Sequence, residues 1–227
     1  MRGETSAAGL APASGAAAAS GTAAASGAAA AARVGILAVQ GAFVEHERML
    51  DRLGADWVEL RQRADLDKPF DRLILPGGES TAQGRILRDL GMLEPLREMI
   101  AQGMPVLGTC AGMILLADAI DEVNGDGSLT DEENNSVWLG TLPATVRRNA
   151  YGRQLGSFHA FGQVERIGRV PMTFIRAPFV TQVHGDTQVL SRVDGNIVAV
   201  RNGNQLGVSF HPELDDDTSI HRMLLEM

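Results

Sequence analysis

The chain of 227 residues has a single cysteine, which excludes an internal disulfide and any cysteine-cluster metal site. It has no long basic run: 20 Lys and Arg are outnumbered by 28 Asp and Glu, for a net charge of -8. That balance argues against nucleic acid or an anionic membrane as the main partner. No run of about 18 strongly apolar residues occurs, so the sequence offers no candidate transmembrane helix. The first 32 residues lack large side chains. Half are Ala, Gly, Ser and Thr supply most of the rest, and Arg2 and Glu4 are the only charges. A segment with so little to bury cannot offset its ordering entropy, so residues 1–32 are expected to form a disordered tail. They make a poor signal peptide, since Ala and Gly are too weakly apolar for its core, and a transit peptide would want more Arg. A cytoplasmic location is the default expectation.

What remains, from Arg33 onward, is about 195 residues, enough for one sizeable core. The spacing predicts strands over Val34–Val39, Trp57–Leu60, Arg72–Pro76 and Pro105–Gly108, each a near-continuous apolar run suited to cover on both faces. Helical patterns fall between them: Glu45–Leu53 closed by Gly54, Thr81–Leu90, Leu93–Gln102 stopped by Gly103, and Gly112–Ile120. This alternation predicts an α/β fold, an open and mostly parallel sheet with helices on both faces. The second half reads as shorter β segments: Trp138–Val146, Gly162–Arg166, Met172–Arg176, Gln188–Val193, Asn196–Arg201 and Gln205–Phe210. Asp194-Gly195 is a hairpin signal, and a helix over Thr218–Glu226 closes the chain.

Three motifs carry chemistry, all at the C-terminal ends of predicted strands, the ligand-binding edge of such a sheet. Gly108-Thr109-Cys110-Ala111-Gly112 is a nucleophile-elbow pattern with Cys in the Ser position. Its small flanking residues allow a sharp turn, and the N–H of Ala111 lies where an oxyanion would develop. The plain alternative is a buried cysteine in a glycine-rich turn. Ser209-Phe210-His211-Pro212-Glu213 places His211 and Glu213 in an extended segment, because Pro212 keeps His211 out of the helical region. A carboxylate there fixes the imidazole tautomer while the other ring nitrogen takes a thiol proton. An ordinary loop histidine is the competing reading, and the elbow cysteine weighs against it. In Pro76-Gly77-Gly78-Glu79-Ser80 the two glycines let the backbone approach a ligand and present N–H groups to it. The alternative there is a turn with Ser80 as helix N-cap.

An elbow cysteine with a distant His-x-Glu resembles the class I (triad) glutamine amidotransferases, whose fold is flavodoxin-like. The finer resemblance is to the glutaminase subunits of pyridoxal 5′-phosphate synthase. It rests on these three motifs together with residues 37–46 (LAVQGAFVEH), 148–154 (RNAYGRQ) and 174–178 (FIRAP), and covers the chain from Val34 onward. Other class I members often carry a Gln shortly after the nucleophile, where this chain has Met113 and Ile114. The resemblance implies Cys110 as nucleophile, His211 as base and Glu213 as its orienter. It places Gly77, Gly78, Glu79, Arg148, Ile175 and Arg176 around bound L-glutamine, with Gly78 and Ala111 as oxyanion donors. Gln40, after the first strand, is a candidate gate responding to the partner. The implied reaction is hydrolysis of glutamine to glutamate and ammonia, without cofactor or metal, in a complex with a separate synthase subunit. No sugar-phosphate machinery is recognisable in the chain, so that partner should be needed. Two rivals stay open: a glutaminase subunit of another pathway, such as imidazole glycerol phosphate formation, and a catalytically silent regulatory module.

Two departures stand out. One is the tail; the other is an acidic insertion over 121–136, where Glu122, Asn124, Asp126, Gly127, Thr130 and Glu133 nearly follow an EF-hand loop. Its first position is Glu rather than Asp and no helix pair flanks it, so a solvated acidic loop is expected. The glutaminase domain is expected over 33–227, interrupted only by this loop.

Overall fold

The computed structural model describes residues 32–121, 123, 136–150 and 156–227. The tail, nearly all of the acidic insertion with its EF-hand-like positions, and residues 151–155 lie outside the described residues. The element order is β1 (Arg33–Leu37), α1 (Phe43–Leu53), β2 (Asp56–Leu60), β3 (Arg72–Leu75), α2 (Ser80–Asp89), α3 (Leu93–Ala101), β4 (Val106–Thr109) and α4 (Ala111–Leu116). Then come β5 (Ala117–Ile120), β6 (Leu142–Arg147), β7 (Ser157–Val164), β8 (Gly168–Ile175), β9 (Phe179–Val183), β10 (Gln188–Val193), β11 (Asn196–Asn202), β12 (Gln205–Val208) and α5 (Ser219–Leu225).

Ten strands form one sheet in the order β2-β1-β3-β4-β12-β11-β9-β6-β5, with β10 also paired to β11; β7 and β8 form a separate antiparallel ribbon. The run from β2 to β12 is parallel, and β11 is antiparallel to β12, β9 and β10. The apolar runs of the parallel strands are explained by two cores, one on each face. Leu37, Leu73, Leu75 and Val106 face the core that holds Leu87 of α2, Leu96 of α3 and Met113 of α4. Val34, Ile36, Ile74 and Leu107 alternate into the other, with Leu50 of α1, Ile220 and Leu224 of α5, and Phe174 of the ribbon. Each such side chain, fully removed from water, contributes roughly 1.5–3 kcal/mol.

The structure corrects three details of the sequence reading. The helix expected over Gly112–Ile120 stops at Leu116, and Ala117–Ile120 is a strand paired with β6. Apart from Asp118 the run is apolar, so period cannot separate helix from strand. Asp118 decides locally, its Oδ1 accepting the Ala144 N–H at 3.0 Å. The strand expected from Trp138 begins at Leu142, because Trp138 packs its indole on Gly84 of α2, where a Cβ would have no room. Phe179–Val183, not expected, is a strand bridging β11 and β6. The Asp194-Gly195 hairpin turn is present, with φ of 50° and 82°.

Candidate active site

β4 ends at Thr109 and Cys110 follows at φ 48°, ψ -102°, a left-handed conformation that costs a non-glycine residue about 1–3 kcal/mol. The surroundings enforce it. The Cys110 N–H donates to the Val208 carbonyl at 2.8 Å, and a Cβ on Gly112 would collide with the Leu75 carbonyl oxygen. A Cβ on Gly108 would meet the Gly112 backbone at 2.7 Å. The glycines of the elbow are there because two backbone segments touch.

From the neighbouring β12 the chain delivers His211, whose N–H donates to the Thr173 carbonyl at 2.8 Å. Its Nδ1 lies 2.6 Å from Glu213 Oε1. Burial alone would push the imidazolium down, but the neighbouring Cys110 and the hydrogen-bonded, charged Glu213 outweigh it, and the pKa is raised to about 10. Cys110 and His211 are each only 7% exposed and Glu213 5%, so the chain of contacts runs inward from the cleft. Gly77 packs directly on the imidazole, at the place a Cβ would occupy.

The loop after β3 is pinned from the loop after β1. Gln40 Oε1 accepts the Glu79 N–H at 2.9 Å and sits against Gly78. The Ala42 N–H donates to the Gly77 carbonyl at 3.0 Å, a contact that the φ of 106° at Gly41 permits. Gln83 of α2, fully buried, donates from Nε2 to the Gln40 and Pro76 carbonyls at 2.9 and 3.1 Å. Sequence reading did not single out Gln83.

The opposite wall comes from the ends of β6 and β8. Arg148 Nη1 donates to Thr81 Oγ1 at 3.0 Å, and Arg176, at φ 43°, donates from Nη2 to Glu79 Oε1 at 2.9 Å. Glu79, which the resemblance places beside bound glutamine, is thus paired here with Arg176. Between the walls lies a cleft of about 290 Å³, whose lining includes Gln40, Gly78, Glu79, Cys110, Ala111, Arg148, Ile175, Arg176 and His211. It is of small-molecule size. Gly77 lies behind His211, and Glu213 behind it again. Among the described residues no group of three or more His, Cys, Asp or Glu is placed to hold a metal ion, and no helix is long and apolar enough to cross a membrane.

Two buried histidines behind Glu213, His46 and His221, also escaped the sequence reading. The available signal was a polar residue at helical spacing with Met49 and Leu50 on the apolar face of α1.

Comparison with known proteins bears on this arrangement. The chain is 53% identical over 194 residues to a "Pyridoxal 5′-phosphate synthase subunit PdxT" of Desulfitobacterium hafniense, covering 86% of this chain and 92% of that one. To the protein of the same description from Methanocorpusculum labreanum it is 52% identical over 195 residues, covering 86% and 97%. A solved structure described as a glutamine amidotransferase superposes with a TM-score of 0.75 at 41% identity, over 85% of this chain and 97% of that one. A family model matches residues 36–227, from the first strand through both the elbow and the His-Glu pair, and on that match together with relatives more than half identical the chain belongs to the SNO glutamine amidotransferase family.

Proposed function

We propose that this chain hydrolyses L-glutamine to L-glutamate and ammonia through a thioester on Cys110, and delivers the ammonia to a synthase subunit that makes pyridoxal 5′-phosphate. One observation carries the reading: a cysteine held in a strained elbow shares an amino-acid-sized cleft with a histidine that is itself bonded to a buried carboxylate.

The chemistry follows from the charges. With its pKa raised to about 10, His211 is stored as imidazolium in the same cleft as Cys110, and the thiolate is the attacking form of a cysteine nucleophile. The sulfur attacks the side-chain amide carbon of glutamine, and the oxygen turns toward the N–H groups of Gly78 and Ala111. His211 gives its proton to the departing nitrogen, ammonia leaves, and a γ-glutamyl thioester remains. Now neutral, His211 takes a proton from water as that water attacks the thioester. Glutamate departs and the thiolate–imidazolium pair is restored. Arg148 and Arg176 suit the α-carboxylate, and Glu79 the α-ammonium once its pairing with Arg176 is exchanged. Gly77 and Ile175 complete the binding region, Gly77 by setting the ring of His211 and Ile175 by lining the wall.

The relatives are described as subunits of pyridoxal 5′-phosphate synthase, which supports a heteromeric complex as the working form. Gln40 is suited to be the gate between them, since its side chain and carbonyl together hold the loop that carries the Gly78 donor. Docking of the synthase at this edge would set that loop, and a missing oxyanion donor costs about 10²–10³ in rate. A cytoplasmic location fits a lone nucleophilic thiol, which a reducing compartment keeps free; cell fractionation tests it. The reaction itself is tested with a glutamine-analogue electrophile such as diazo-oxo-norleucine. It should add to Cys110 alone, and glutamine-dependent ammonia release should rise on adding the synthase subunit. Labelling elsewhere would defeat the assignment. Gln40→Ala should blunt the rise more than the basal rate.

A further inference from the structure

The chain of polar groups does not end at Glu213. His46 on α1 and His221 on α5 are both completely buried, and His46 Nδ1 lies 2.8 Å from His221 Nε2. The other nitrogen of His46, Nε2, faces the site: it is 3.3 Å from Thr109 Oγ1 and 3.6 Å from Glu213 Oε2. Glu213 Oε2 makes no hydrogen bond, and neither does His221 Nδ1. A buried carboxylate oxygen left without a donor is costly, and His46 Nε2 is the ring nitrogen beside it.

Hydrogen-bond bookkeeping assigns the tautomers. With His46 protonated on Nε2, its Nδ1 accepts from His221 Nε2–H, and the atom left over is an unprotonated His221 nitrogen. The reverse assignment points a lone pair at a carboxylate and strands a buried N–H donor at His221. Burial pushes both imidazoles down, His221 to about 4, and His46 further through the neighbouring His221 and His211 charges. Neutrality matters here. A cation at His46 would quench the Glu213 charge that His211 needs, whereas a neutral donor orients the carboxylate and leaves its charge for His211.

We infer that His46, backed by His221, is a positioning residue of this glutaminase, its Nε2–H steadying the second oxygen of Glu213 so that the first stays aligned on His211. The inference rests on the triad reading given above. At 3.6 Å the two groups are within ion-pair reach but longer than a hydrogen bond, and catalytic hydrogen bonds commonly tighten when substrate is bound.

The experiment uses the full chain in complex with its synthase subunit and measures kcat and KM for glutamine. The variants are His46→Leu, His46→Asn, His46→Gln, Glu213→Gln and the double variant His46→Leu/Glu213→Gln. Loss of an outer hydrogen-bond partner should lower kcat about 10–100-fold in His46→Leu, with KM little changed. The amide of Gln extends to the position of Nε2 and should restore most of the rate. That of Asn extends only to Nδ1, toward His221, and should not. In the Glu213→Gln background, His46→Leu should cost almost nothing further, because the group it positions is gone. Should His46→Leu fail to fold, the Asn and Gln pair decides alone. Equal losses in both backgrounds, or Asn matching Gln, would overturn the inference while leaving the triad intact. Full activity in Glu213→Gln would overturn the triad reading itself, and this inference with it.

Discussion

The two halves of the sheet do different work. In the parallel half, β1, β3, β4 and β12 all run the same way, so the loops that leave them arrive at one edge by topology alone. Those loops carry Gln40, Gly78, Cys110 and His211, and they are held by close backbone approaches together with the Gln40 and Gln83 side chains, which bond to backbone groups. In the other half β11, β9 and β6 alternate in direction, and the wall there, completed by the end of the β7–β8 ribbon, is made of long side chains, Arg148 after β6 and Arg176 after β8, reaching across to Thr81 and Glu79. Under the proposed function the contrast divides the labour, with rigid backbone on the side assigned to bond making and breaking and adaptable guanidinium groups on the side assigned to substrate recognition.

The sharpest break of that division would come from the proposed nucleophile, Cys110. Cys110→Ala should lower glutaminase turnover by at least about 10⁴-fold with the fold retained, as for other residues that act as one catalytic unit; activity comparable to the parent would refute it. Adding His211→Ala to Cys110→Ala should then cost little more. Next in size is the backbone contact itself. Gly112→Ala forces a methyl onto the Leu75 carbonyl and should destabilise by about 3 kcal/mol, the upper end of overpacking losses, read by chemical denaturation. A similar figure applies to acid. Unfolded His221 takes up a proton near its ordinary 6.5, while the folded residue resists until about 4. Stability is therefore complete above pH 6.5 and is lost as pH falls through that window, by about 3 kcal/mol from this residue. His46 adds to the same trend, and His221→Gln should flatten the curve measured between pH 4.5 and 6.5. On the recognition side, Arg148→Ala should raise KM roughly 10–100-fold, the worth of one charged hydrogen bond, with kcat nearly unchanged. A kcat loss as large as the KM rise would collapse the division between the halves. Smallest of all, removing residues 1–32 should leave melting temperature and rate unchanged, since their composition offers nothing to bury.

Legibility in the sequence follows the same line. The strands from Val34 to Gly108 were readable because burial on both faces forces continuous apolar runs, and because Gly54, Pro76 and Gly103 stop their elements abruptly. Cys110, His211 and the Gly77-Gly78 loop were readable because close backbone approach demands specific small residues at fixed spacing. The antiparallel half was harder. β5 hides in a run that is apolar apart from Asp118, and β9 is only five residues long behind Pro178. Gln83, His46 and His221 were invisible for a different reason. Each lies within an ordinary helix, and its partners are brought by chain segments that, except for Gln83 with Pro76, lie tens of residues or more away, a pairing that only the folded topology reveals.

β12, the strand that joins the two halves, spans Gln205–Val208, and the proposed base follows it at His211. The centre of the sheet is therefore supplied after all the other described strands. A nascent chain that has emerged through β11 already contains the thiol, its elbow and four parallel strands, yet it lacks the strand that flanks β4 and the imidazole that arms the sulfur. The edge of β4 stays open until that moment, and an open edge is where strands from different chains pair wrongly. Closing it and supplying His211 fall to one short stretch of chain, so a chain released before β12 lacks part of the proposed triad.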